Sequence, residues 1–313
     1  MLWLALYCPT RPTSDGEPAS PPDDGPRRGI PVTQSEGAQS AAAVRGTALP
    51  TLACWAGRFT PHVNLAPAVL RLEIAASLRL FGGLPALLRR VREDLVAMDV
   101  AAQLAVAATP LAALWLARAG SSNANEAICA DLPATRAALA AVPLSALELA
   151  PPLARRVEGF GLRRIGDVLA LPRASLGARL GKPFVIDLAR ALGEIADPQA
   201  YFVFPERFEQ GLELPAPVEA APVLLFAARR LVAALAGWLA ARNAAVREIE
   251  CLIDHGHGLI TAVPLAFSAP VHTSQHIERV FKERLDTLVL CAPAGRTLRR
   301  PRLDRLRAAS AAG

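Results

Sequence analysis

The sequence predicts a multidomain chain of mixed class, an α/β unit followed by a small all-helical module and an α+β unit. Three observations predict it. The first part runs strand, strand, helix, strand, helix; residues from about 133 to 197 carry short helical patterns broken by Pro and Gly; and the stretch after them reads β, α, β, β, α, β. At 313 residues, 52% apolar and 20% charged, the chain has enough apolar side chains for more than one core.

Leu2 to Tyr7 is apolar but short and lacks a cationic start, so it reads as a buried strand rather than a signal peptide. Residues 9 to 50 are rich in Pro, Gly, Ser and Asp, with turn signals such as Ser14-Asp15-Gly16, and read as a flexible insertion. Val69, Leu70, Leu72 and Ile74 around Arg71 and Glu73 form a second strand, which turns through Phe81-Gly82-Gly83 into a helix over 84–98. A third strand at 103–108 precedes a helix near 110–118. The uncharged run 100–117 meets the crude length of a membrane span, yet its alanines, Gln103, Thr109 and Pro110 speak against one.

Pro151-Pro152, Gly159-Phe160-Gly161, Pro172, Gly181 and Asp197-Pro198 punctuate the helical module. Beyond it, Leu212 to Val218 is a strand. Leu224 to Ala241 is a helix with Leu224, Leu231, Leu235, Trp238 and Leu239 on one face. Ile249 to Ile253 and Leu259 to Phe267 pair across His255-Gly256-His257-Gly258, a second helix carries Ile277, Phe281 and Leu285, and a last strand lies near 289–298.

Charge is uneven. Residues 1–150 hold 12 basic and 12 acidic side chains against 22 and 16 in 151–313, so the second half carries the whole net charge of +6. It ends on Arg296, Arg299, Arg300, Arg302, Arg305 and Arg307, either a solvated tail or an anion-binding one. Lys182 and Lys282 are the only lysines. Five scattered cysteines without a C-x-x-C pair point to reduced thiols and a cytoplasmic setting. His272 and His276, or His255 and His257, lack the Glu and Cys companions of a metal site, so no metal or other cofactor is expected. Walker, nucleophile-elbow and dinucleotide motifs are absent.

Several segments carry a family resemblance. Leu2-Trp3-Leu4-Ala5-Leu6, Trp55-Ala56-Gly57-Arg58-Phe59-Thr60-Pro61 and the run from Leu72-Glu73-Ile74 to Leu80-Phe81-Gly82-Gly83 resemble the ImuB family, polymerase-like proteins of bacterial mutagenesis cassettes related to Y-family DNA polymerases. So do the run Gly161-Leu162-Arg163-Arg164-Ile165-Gly166-Asp167-Val168 with its continuation to Arg173, Ala191-Leu192-Gly193 and Asp197-Pro198. The resemblance implies a palm from 1–8 and 51–132, degenerate fingers in 9–50, a thumb over 133–198 with a helix-hairpin-helix, a βαββαβ little finger over 199–300 and a basic tail over 301–313. Relative to the family the chain looks shortened in the fingers and at its C-terminus.

An active palm needs three carboxylates on adjoining strands to hold two Mg²⁺ ions. Ala5 and Tyr7 stand about where the family's first acidic positions fall, and Ala68 and Val69 replace an Asp-Glu pair. Glu73 remains, and is expected to face solvent or pair with Arg71 or Arg79. The implied function is a non-catalytic, DNA-binding scaffold of error-prone translesion synthesis in the bacterial DNA damage (SOS) response. Its implied partners are primer-template DNA, ImuA, an error-prone replicative-type polymerase (ImuC) and the sliding clamp; no membrane is implied. A low-activity polymerase and a non-functional gene remnant are the alternatives. The DNA-contacting residues are expected to be Arg155, Arg156, Gly159, Gly161, Arg163 and Arg164 of the hairpin, with Arg296, Arg299 and Arg300 beyond the little finger. The family's clamp peptide opens on Gln and follows the little finger; the chain stops about there, and its best internal match, Gln103-Leu104-Ala105-Val106-Ala107, is expected in a strand, leaving the clamp contact doubtful.

Overall fold

The computed structural model describes residues 1–8, 49–120, 126–214, 218, 221–255, 259–288 and 297–302. The central strand of its first sheet is β1 (Trp3–Tyr7). On one side β1 pairs antiparallel with β3 (Val69–Glu73), Leu4 opposite Leu72, and β3 with β2 (Val63–Ala66). On the other it pairs antiparallel with β4 (Gln103–Ala107), which pairs parallel with the short β5 (Ala127–Ile128). The uninterrupted apolar run of β1 follows from burial on both faces. Leu2, Leu4 and Leu6 pack with helices α1 (Leu49–Ala56) and α2 (Leu84–Ala97), whereas Trp3 and Ala5 pack with α3 (Pro110–Gly120) and the helical module.

That module comprises α4 (Leu132–Ala141), α5 (Pro151–Gly159), α6 (Ile165–Leu169), α7 (Arg173–Leu180) and α8 (Lys182–Ala191). Asp131 caps α4 by accepting the Ala134 N–H at 2.8 Å. The fully buried Thr135 ties α4 to the end of β4: its hydroxyl donates to the Asp131 carbonyl and accepts the Ala108 N–H. Thr109 donates to the Ala191 carbonyl at 2.8 Å, joining α3 to α8.

The last part has the expected βαββαβ order: β6 (Leu212–Glu213), α9 (Ala221–Ala241), β7 (Val246–Asp254), β8 (Ile260–Val271), α10 (Ser274–Asp286) and β9 (Thr297–Arg302). Its strands form an antiparallel sheet in the order β6-β9-β7-β8. By length and composition, Val223–Ala241 is the one helix among the described residues that could cross a membrane, but most of it is buried inside the fold. The run 100–117 divides instead between β4 and α3.

Several expectations need correction. α1 and the β2–β3 hairpin were not expected. Thr51 to Ala56 are all buried, so α1 has no polar face to set a helical period. The hairpin turns on Pro67-Ala68 without Gly or Asn, with Ala68 at φ +58°. Of the expected strand 212–218, β6 is Leu212–Glu213 and residues 215–217 lie outside the described residues. β9 spans 297–302, beyond the expected end at 298, and its register sets Leu298 opposite Leu212 and Ile253, both buried; residues 289–296 lie outside the described residues. Pro301 and Arg302, assigned to the tail, therefore belong to the strand. The insertion 9–48 lies outside the described residues.

Candidate nucleic-acid interface and metal-ligand positions

Helices α5 and α6 are joined by Phe160 to Arg164, and an isolated bridge from Pro143 to Arg164 ties this turn to the chain before α5. Gly161 has φ +71°, which L-residues other than glycine adopt at a cost. Gly159 has no left-handed φ and open space around it, so the turn does not demand glycine there. Gly166 has another role: a Cβ on it would lie 2.8 Å from the Ala140 carbonyl, so α6 sits against α4 through bare backbone.

Arg155, Arg156, Arg163 and Arg164 are all exposed around this hairpin. Among the described residues no ion pair engages any of them. Glu158 and Asp167 set two negative charges against their four positive ones. Asp167 accepts the backbone N–H groups of Arg163 at 2.8 Å and Arg164 at 2.9 Å, which hold its carboxyl below the ordinary carboxylate range.

This corrects one part of the sequence argument. The N–H groups of Phe160, Gly161, Leu162 and Ile165 donate to carbonyls of the chain, and those of Arg163 and Arg164 to Asp167. The N–H groups of the connecting turn from Phe160 to Ile165 are therefore already engaged, and α6, at five residues, adds little dipole. Arg179, which sequence reading missed, belongs with the hairpin: its guanidinium lies 5.8 Å from the ring of half-exposed Phe160, and its carbonyl accepts Arg156 Nη1 at 3.2 Å. Nothing in the spacing of Arg179 marked it, because it comes from α7. Arg299 and Arg300 fall in β9, with Arg299 opposite Leu252 in the register, and Arg296 lies outside the described residues.

The positions expected to lack metal ligands lie together on the first sheet. Ala5 is opposite Arg71 on β3, and Tyr7 opposite Val69. Arg118 of α3 lies over the Tyr7 ring at 5.7 Å and pairs with Glu148 at 2.6 Å, while the Tyr7 hydroxyl donates to Glu148 at 3.4 Å. Burial first, and then the Glu148 charge, raise the Tyr7 pKa. Arg71 donates through Nε to Asn64 at 3.0 Å, and its pKa is lowered by burial against the opposing pull of Asp197. Asp197 is raised, chiefly by burial. Two guanidinium groups repel a divalent cation, and among the described residues no three His, Cys, Asp or Glu side chains gather as a metal site. A two-Mg²⁺ centre does not fit the side chains present.

Glu73 is half-buried, and among the described residues it pairs with neither Arg71 nor Arg79. It accepts the N–H groups of Leu2 at 3.4 Å and Ala75 at 3.2 Å, because the strand end leaves both donors without a sheet partner. Gln103 to Ala107 form β4, paired with β1 along its whole length and with β5 at Ala105 and Val106, so this stretch is a sheet strand as expected.

Fold and site together describe a mixed α/β and α+β chain that carries an arginine-lined helical hairpin and, among the described residues, no cluster of three His, Cys, Asp or Glu side chains. No family model matches the chain. Over 240 residues it is 30% identical to Protein ImuB from two strains of Caulobacter vibrioides, a stretch that is 76% of this chain and 52% of those proteins. Over that stretch the chain is ImuB-like; it spans about half the length of the curated relatives it matches. Solved structures show a looser likeness. A ternary complex of Dbh aligns over 96% of this chain and 97% of that one at 15% identity and a TM-score of 0.42. DinB from Sulfolobus solfataricus aligns over 87% and 79% at 15% identity and 0.38. At such scores the likeness adds nothing to the sequence relationship.

Proposed function

We propose that the chain is a non-catalytic, DNA-binding scaffold of error-prone translesion synthesis in the bacterial DNA damage (SOS) response, acting in the cytoplasm without a cofactor. The observation that carries this reading is the exchange at the first sheet. Where nucleotidyl transfer needs carboxylates, the chain has Ala5, Tyr7, Ala68 and Val69, with Arg71 and Arg118 beside them. The exposed arginines of the α5–α6 hairpin supply sequence-independent phosphate contacts. By analogy with ImuB, the assembly brings in ImuA, ImuC and the sliding clamp, and pull-down from a DNA-damaged culture identifies which of them this chain retains. The purified protein should bind primer-template DNA yet extend no primer with Mg²⁺ or Mn²⁺. Template-dependent extension that survives repurification would overturn the non-catalytic reading and favour a weak polymerase.

A further inference from the structure

Separate domains joined by an exposed linker move relative to one another unless their interface is large and apolar. Here α9 serves two sheets at once. Leu224, Leu235 and Trp238 belong to the same buried cluster as Leu4 and Leu72 of the first sheet and Ile253 of the second. Where α9 crosses α1 the backbones touch. A Cβ on Gly237 would collide with the Cys54 and Trp55 carbonyls, and one on Gly57 would lie 2.7 Å from Phe204 Cε1 and 2.9 Å from the Gly237 carbonyl. Neither glycine has a left-handed φ, so space alone demands them.

The chain leading into the second sheet is also held. Asn64 Nδ2 donates to the Ala200 carbonyl at 2.6 Å and the Phe202 N–H to the Val63 carbonyl at 2.6 Å, which lays this segment along the outer edge of β2. Farther on, Trp238 Nε1 donates to the Pro205 carbonyl at 2.8 Å. At the opposite end of the crossing Arg230, only 2% exposed, donates to the carbonyls of Met98 at 2.5 Å and Asp99 at 3.3 Å. A guanidinium buried this deeply is stable only while those carbonyls and the Asp99 carboxylate, 3.8 Å from its Nη2, stay in place.

We infer that the second sheet is a fixed part of one platform with the first sheet, not a hinged domain, and that α9 and residues 199–209 are the weld. The relative placement of the two sheets is then set before any ligand arrives.

Native-state hydrogen exchange on the full chain tests this without a mutation. The amides of β1, of Phe202 and of the middle of α9 should open in one cooperative event, with protection factors agreeing within about tenfold and converging as denaturant is added. An α9 or β7 that exchanges through an earlier, separate opening would overturn the inference. Gly237→Ala should lower protection in β1 and β7 by the same factor, and a loss confined to β7 would again overturn it. If that variant fails to fold, Arg230→Met removes the staple without creating an overlap at the crossing and should show the same joint loss.

Discussion

Replacing Arg155, Arg156, Arg163 and Arg164 together with Ala perturbs the proposed interface while sparing the fold, because all four side chains are exposed. Surface changes of this kind stay within about 0.5 kcal/mol of neutral. Each phosphate contact on duplex DNA releases about 0.9 counterion, so four contacts make the plot of log K against log salt steeper by about 3.6. Arg156 already spends one donor on the Arg179 carbonyl, which makes it the weakest of the set and puts the expected loss of slope at about 3 to 4. Between roughly 50 and 200 mM salt the wild-type protein should therefore lose on the order of a hundredfold more affinity than the variant. Fluorescence anisotropy of labelled primer-template over a salt series measures this directly. Lines for unrelated sequences should run parallel, since phosphate contacts carry no base information. A slope unchanged in the variant would refute the hairpin as the DNA-contacting element and move the contact to the arginines between 296 and 307.

Two further outcomes follow from single positions. Ala68 has φ +58° in the Pro67-Ala68 turn, so Ala68→Gly should stabilise the protein by about 1 kcal/mol in urea unfolding, and an unchanged or lower midpoint would show that the turn is unstrained. Burial pushes the Cys54 and Cys251 thiols up to about 12 and Cys8 to about 11, leaving little thiolate near pH 8. Disulfide-exchange reagents should therefore label Cys54, which is buried, only after denaturant is added; prompt labelling of Cys54 in the native protein would contradict its burial.

What the sequence made legible follows its periodic signals. β3, β4 and α2 were found within a few residues because each has a clear apolar pattern and a marked boundary, Gly82-Gly83 for α2. The βαββαβ order was legible for the same reason. α1 escaped because a helix buried all round has no polar face, and β2 escaped because its turn uses Ala where a sequence reading looks for Gly. At the hairpin the sequence marked the arginines, but it did not show which backbone donors are engaged. Whether a backbone N–H is free depends on which acceptor folds over it, and the Asp167 bonds that occupy Arg163 and Arg164 belong to local geometry that spacing does not reveal. Arg179 was invisible for a tertiary reason, since only the packing of α7 brings it to Phe160.

In the proposed reading, the positions that would carry carboxylates lie in or beside the apolar packing of the first sheet. Ala5 is fully buried and Val69 is 1% exposed, in one apolar cluster with Ala105, Ala107 and residues of α3 and the helical module. A pair of Mg²⁺ ions requires water and several anionic oxygens within reach, whereas this surface is closed over by aliphatic contacts. At its margin, Arg118 with Glu148 and Arg71 with Asn64 neutralise or satisfy one another through partners from other parts of the chain. Glu148 lies at the entry to α5, and Asn64 bonds the segment after Asp197, so these polar contacts hold the neighbouring parts of the chain against the sheet. Restoring single acidic residues at 5 or 69 would place a charge inside the apolar cluster, and its desolvation cost would oppose both folding and metal capture. On the proposed reading, the place where a palm would carry out chemistry is a joint: Ala5 and Val69 share one buried cluster with Val157 and Ile165, which flank the arginine hairpin.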